Sequence, residues 1–212
     1  MSISNKGTFI SFEGIDGCGK STQVRLLMER LKKENIESIL VREPGGTNIS
    51  EDIRAILLSN QNTNMESRTE ALLMTASRSQ LTNEKIIPAL DKGVCVVADR
   101  FKDSTLAYQG GGRGLDLDFL LKLNDFATYD IDPDITFNID LEAELAFDRS
   151  KSNESDRIEN AGIDFQKRVR NSYMDISKRF FKRVITVNGE DSISLIQNTI
   201  WKKTINCINE KT

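Results

Sequence analysis

The chain has 212 residues, 38% of them hydrophobic and 29% charged, with a formal net charge of −3. That length and balance suit one soluble α/β domain spanning 1–212, and the mild acidity argues against nucleic acid as a main partner. There is no histidine, which excludes a Ser-His-Asp triad, a Cys-His pair, a histidine metal site and a histidine general base.

Residues 8–13 read as a short buried strand, followed by Val24, Leu27, Met28 and Leu31 at helical spacing. A second strand, Ser38 to Val41, runs into Arg42-Glu43-Pro44-Gly45-Gly46-Thr47, which cannot continue regular structure. Ile49, Ile53, Ile56 and Leu57 outline a helix. Residues 66–91 read as one long helix with Leu72, Leu73, Ala76 and Leu81 facing inward and Arg78 among them. Its apolar stripe is either core or a homodimer face. Val94 to Ala98 is continuously apolar, as a central parallel strand should be. Asp99-Arg100-Phe101 ends it, and Ser104, Thr105, Tyr108 and Gln109 lead to a Gly110-Gly111-Gly112-Arg113-Gly114 run without an assigned element. A helix over 115–127, a strand over 135–139 and a helix around 142–149 come next. A polar stretch without periodicity follows, then a helix with Phe165, Val169, Tyr173, Ile176 and Phe180 on one stripe. Strand 184–187 and a last helix carrying Ile193, Ile196 and Ile200 complete the chain.

Strands alternate with helices throughout. The pattern predicts an α/β fold with a five-stranded parallel sheet and helices on both faces. Right-handed crossovers place every strand's C-terminus on one edge, where such sheets bind ligands. Cys18, Cys95 and Cys207 form neither a zinc pattern nor a disulfide framework, so a reducing cytoplasm is expected. No signal-peptide pattern and no run of membrane-spanning length occurs, so no membrane partner is expected.

The segment Gly14-Ile15-Asp16-Gly17-Cys18-Gly19-Lys20-Ser21-Thr22 contains G-x-x-x-x-G-K-S between a strand and a helix. Glycines let backbone N–H groups wrap a phosphate, and the following helix adds free donors and the positive end of its dipole. Lys20 supplies a point charge to the β- and γ-phosphates, and the Ser21 hydroxyl is placed to ligate Mg²⁺. Arg42, Arg78 and Arg100 fall outside this cradle, with Arg149 and Arg157 further along. Arginine forks match phosphate oxygens, so a second phosphorylated ligand is implied, and phosphoryl transfer between two bound molecules. A lid that excludes water would complete such a site. The candidate is the segment at about 149–158 with Arg149, Lys151 and Arg157; the other reading is a solvated loop. Cys18, at a helix N-terminus where a thiolate is favoured, is either a reactive or an inert buried thiol.

These motifs, with Asp156-Arg157-Ile158-Glu159, resemble those of the bacterial thymidylate kinases, within the P-loop nucleoside monophosphate kinase superfamily. The resemblance implies phosphorylation of dTMP by ATP with Mg²⁺ in a cytoplasmic homodimer. It implies that Asp16 lies near the dTMP sugar and phosphate, that Arg78 reaches a thymine carbonyl and that Arg100 holds the dTMP phosphate. Thr105, beside Ser104, reads the base edge, Tyr108 disfavours ribonucleotides, and Glu43 and Gln109 share the acceptor pocket. Asp99 helps hold Mg²⁺ directly or through water, and residues 188–192 border adenine. Met74 stands where many members have a phenylalanine stacked on thymine, which implies a less rigid base contact. The phosphate loop has no arginine before Lys20, so the resemblance assigns the catalytic cation to the lid. The alternatives are another nucleoside monophosphate kinase, or a switch or motor NTPase. No Asn-Lys-x-Asp signature supports a GTPase, and Asp99 is followed by Arg100 rather than by a second acid.

Overall fold

The computed structural model describes residues 7–150 and 156–211. Five strands form one sheet: β1 Phe9–Glu13, β2 Ser38–Arg42, β3 Cys95–Asp99, β4 Ile135–Asp140 and β5 Val184–Asn188. Their order is β2-β3-β1-β4-β5, and every pair is parallel. Phe9 pairs with Val96 and Phe12 with Asp99, so the chain ends of β1 and β3 finish level. From β1 the chain turns toward β2, and from β3 it crosses to β4. The loops at these adjacent strand ends therefore diverge and leave a crevice between them, the usual ligand position in such sheets.

The helices are α1 Lys20–Lys33, α2 Asn48–Leu58, α3 Ser67–Leu81, α4 Ile87–Asp91, α5 Lys102–Thr105, α6 Leu117–Thr128, α7 Ala143–Ser150, α8 Ile163–Arg179 and α9 Ile193–Asn209. Side-chain alternation on the strands sends Phe9, Val96 and Ala98 into a core with Val41, Leu81, Ile86 and Phe101. Ile10, Phe12 and Val97 pack into another with Val24, Leu27 and Leu31 of α1. Both faces of the central strands are covered, which is why they read as unbroken apolar runs.

Two expectations require correction. The long helix does occur, but as α3 and α4 joined by a wide π-helical segment, Thr82–Ile86. Its inward face is not the apolar stripe: Leu72 is 55% exposed, Ala76 is also exposed, and Leu73 is half-buried. The buried set is Glu70, Ala71, Thr75, Ser77, Arg78 and Leu81. Polar groups take the inside because each finds a partner there. Likewise Ile49 and Ile56 of α2 are exposed and Leu57 is buried.

The Gly-rich stretch is also helical. Leu106–Gly112 continues α5 as a second π-helical segment, packed on α8. A Cβ on Gly111 would sit 2.3 Å from Ser172 Cβ, and one on Gly112 would sit 2.5 Å from the Phe165 ring. Only glycine permits this approach of segment to helix.

Candidate active site

The phosphate loop leaves β1 at Gly14 and enters α1 at Lys20. Gly19 caps α1 with φ of 96°, in the left-handed region open to glycine. A Cβ on Gly17 would fall 2.1 Å from the Ala146 carbonyl oxygen, so the loop tip is seated under α7. Lys20 Nζ lies 3.5 Å from Asp99 Oδ1, and Ser21 Oγ donates to Asp99 Oδ2 at 3.5 Å. A hydroxyl and a carboxylate side by side are the hard oxygen donors that suit Mg²⁺. Among the described residues there is no cluster of three or more acidic, cysteine or histidine ligands. Further ligands to such an ion would be water and phosphate oxygens.

Arg100 follows β3 in a left-handed conformation, φ 72°, which turns its side chain back across the crevice. Nη1 donates to the Gly14 carbonyl at 2.9 Å, and Nη2 pairs with Asp16 Oδ1 at 2.5 Å. The Tyr108 hydroxyl donates to the other Asp16 oxygen at 3.0 Å, and Tyr108's ring lies 5.0 Å from the guanidinium carbon. Burial would raise the Asp16 carboxyl, but Arg100 and Lys20 outweigh it and hold it below its ordinary value. Burial would weaken Arg100 as a cation, and Asp16 overrides that, so it stays charged.

Beneath these lies Glu13, a buried carboxylate missing from the sequence expectations. It accepts from the Phe101 N–H at 2.8 Å, Ser104 Oγ at 2.6 Å and the Tyr173 hydroxyl at 2.9 Å. The only sequence signal is an acid closing a central-strand run. Glu13 thereby fixes the β3 exit from which Arg100 departs.

A cavity of about 240 Å³ opens at this edge, lined by Asp16, Lys20, Ser21, Asp99 and Arg100 at one end. Met74, Arg78, Thr105, Tyr108 and Gln109 line it further in, and Arg42, Glu43 and Arg54 line a side. Arg42 is bound to Glu51 at 2.7 Å. Arg54, missed from sequence, donates to the Pro44 carbonyl at 2.9 Å. Burial and then the like charge of Arg42 depress its pKa, the mark of a cation short of anionic partners. It sits on the polar side of α2, where a lone arginine looks like surface.

Arg78 is fully buried, and all five of its N–H groups are engaged. Nε and Nη2 hold Glu43 Oε2 at 2.7 and 2.6 Å. Nη1 donates to Thr105 Oγ1 and Asn124 Oδ1, each at 2.7 Å, and Nη2 also reaches the Phe101 carbonyl at 3.0 Å. Arg78 nonetheless lines the cavity, as does Thr105, which it holds in place.

Arg157 does not face the phosphate loop. It is buried, donates to the Leu57 carbonyl at 2.8 Å and lies 2.7 Å from Glu70 Oε2. It anchors the segment after residue 155 to the end of α2 and to α3, so a transfer-site role is corrected to an anchoring one. Asp156, Ile158 and Glu159 do line the cavity. Arg149 is exposed on the last turn of α7, and Lys151 lies outside the described residues. Cys18 is buried with its thiol pushed up by that burial, against the partial pull of Lys20. That burial supports the inert reading over the reactive one.

A phosphate cradle and a second cation-lined pocket, joined by Arg100, define a P-loop phosphotransferase with two phosphorylated substrates. The comparisons specify which. A family model described as thymidylate kinase matches residues 12–200. The thymidylate kinase of Caldanaerobacter subterraneus subsp. tengcongensis is 46% identical over 197 residues, covering 93% of this chain and 94% of its own. That of Thermosipho africanus is 51% identical over 170 residues, 80% of this chain and 84% of its own. The crystal structure of thymidylate kinase from Ehrlichia chaffeensis superposes with a TM-score of 0.78 at 34% identity, over 94% of this chain and 99% of that one. The chain belongs to the thymidylate kinase family.

Proposed function

We propose that the protein transfers the γ-phosphoryl group of ATP to dTMP, giving ADP and dTDP, a step toward dTTP. The observation that carries this reading is Arg100, which bonds to the phosphate loop through Gly14 and Asp16 while lining the acceptor cavity beside Tyr108. One charged side chain thus spans both phosphate positions. Phosphoryl transfer asks mainly for positioning and charge stabilisation. The Gly14–Lys20 loop and Lys20 bind the donor phosphates, and Ser21 with Asp99 would hold Mg²⁺. That ion would neutralise developing phosphate charge. Arg100, with Arg42 and Arg54 nearby, orients the acceptor phosphate, which is already a nucleophile. The buried Tyr108 ring, fixed on Asp16 and edge-on to Tyr173 and Phe165, walls the sugar. Arg149 and Lys151 supply further positive charge from the lid segment.

The test measures ADP formation with dTMP, dUMP, UMP, CMP and no acceptor. Turnover that requires an acceptor and prefers dTMP is expected. Equal turnover without acceptor would make the protein a nucleotide-dependent switch instead. Among the described residues no helix is long and apolar enough to cross a membrane. Exposed Ile49 and Ile56 on α2 and Leu72 on the adjoining α3 support a homodimer through this face. Sedimentation of Leu72→Glu as a monomer would match that assignment, and an unchanged mass would remove it.

A further inference from the structure

Glu70 is 1% exposed and lies on the buried face of α3, one layer behind the acceptor cavity. Its Oε1 accepts from Gln109 Nε2 at 3.0 Å and Arg113 Nε at 3.1 Å. Its Oε2 accepts from Arg113 Nη2 at 3.0 Å and pairs with Arg157 Nη2 at 2.7 Å. Two segments distant from α3 in sequence, one with Gln109 and Arg113 and one with Arg157, meet on this carboxylate. Burial would push its pKa up, but these donors overcome that and hold it ionised.

An ionised carboxylate only accepts hydrogen bonds. The Gln109 amide must therefore present its nitrogen to Glu70, and its carbonyl oxygen is left as the acceptor facing the cavity that Gln109 lines. Thr105 stands four residues earlier on the same helical stretch and lines the same wall. Its oxygen accepts from an Arg78 N–H, which leaves its own rotatable proton available to a ligand. The wall presents a hydrogen-bond donor at Thr105 and an acceptor at Gln109.

We propose that Glu70 is a specificity-determining positioning residue: by locking the Gln109 amide, it makes the base pocket complementary to an imide edge and mismatched to a cytosine edge. An imide, as in thymine or uracil, carries a carbonyl beside a ring N–H and so matches a donor beside an acceptor. Cytosine carries an amino group beside a bare ring nitrogen, which inverts both. This inference rests on the reading of the acceptor as a thymine nucleotide. Glu70 does not touch substrate; it acts through Gln109.

The test is the ratio of kcat/KM for dTMP to that for dCMP in wild type and Glu70→Gln. The variant can offer Gln109 an amide N–H, which releases the Gln109 orientation. The ratio is expected to fall about tenfold or more, the size of a mismatched buried polar contact. The change should appear mainly as a higher KM for dTMP. Should that variant fail to fold, Glu70→Asp keeps the charge required by both arginines but draws the carboxylate back from Gln109. It should lower the ratio in the same direction. A ratio unchanged in the folded variant, with wild type preferring dTMP, overturns the role of Glu70 alone. A wild-type enzyme with no preference for dTMP over dCMP overturns the functional reading and this inference together.

Discussion

Replacing Glu43 with glutamine should remove a pH dependence of stability that runs between its ordinary value of 4.5 and its folded value of about 7. Glu43 is buried, with Oε2 on Arg78 and Oε1 without a partner in the described protein. Burial raises its pKa from 4.5 to about 7; Arg78 pulls it down and Glu13 pushes it up. A carboxyl raised on folding stabilises most below its unfolded pKa, and that contribution is lost as pH rises through the folded value. From about pH 5.5 to pH 8 the loss is on the order of 2 kcal/mol, or roughly 4–8 °C in Tm for a chain of this size. Glutamine keeps an oxygen for Arg78 and cannot titrate. Thermal melts followed by circular dichroism at both pH values should show wild type losing about 4–8 °C more than Glu43→Gln. Parallel pH curves for the two proteins would refute the buried, titrating Glu43.

Lys20→Ala and Arg100→Ala should each lower kcat/KM by roughly 10²–10³, the size of a lost charge stabiliser; near-normal turnover in either would remove its assigned role. Arg157→Ala should cost stability on the order of 3 kcal/mol, because it strips a partner from buried Glu70. Arg149→Ala should leave the melt unchanged and lower kcat, and an exchange of these phenotypes would restore Arg157 to the transfer site. Met74→Phe should lower the KM for dTMP by giving the base a rigid ring, and an unchanged or higher KM would count against that. Cys207, only half-buried, should react with a small thiol reagent before Cys18, and first labelling at Cys18 would contradict its burial.

The sheet was readable from sequence because each strand is a short apolar run that ends in a chemically distinctive loop. Those endings, Gly14, Arg42 and Asp99-Arg100, converge as parallel topology requires. Less readable was α3, where periodicity assigns leucines to the inside and charges to the outside. Glu70 reverses this, while Arg78, read among the inward-facing residues, is buried as expected; both are held by partners, Arg113, Arg157, Gln109, Glu43, Thr105 and Asn124, from elsewhere in the chain. The Gly110–Gly112 run carries no local signal for any element, and only contact with Ser172 and Phe165 on α8 explains it as helix. Arg157 carried the right charge in the right segment, but its direction depends on a carboxylate far earlier in sequence.

Buried arginines here divide into two kinds. Arg100 stands where phosphate charge would arrive and is balanced for now by Asp16. Arg78 is spent wholly on the protein, with every N–H engaged. A lysine could not replace it, since three rotatable N–H groups on one nitrogen cannot reach Glu43, Thr105, Asn124 and the Phe101 carbonyl together. It lines the acceptor cavity and also fixes other groups that line it, Thr105 above all. Glu70 acts similarly through Gln109. The acceptor pocket is thus set before any nucleotide enters. Selectivity for a base edge then depends on residues behind the contacting ones, which an inspection of cavity-lining side chains alone would pass over.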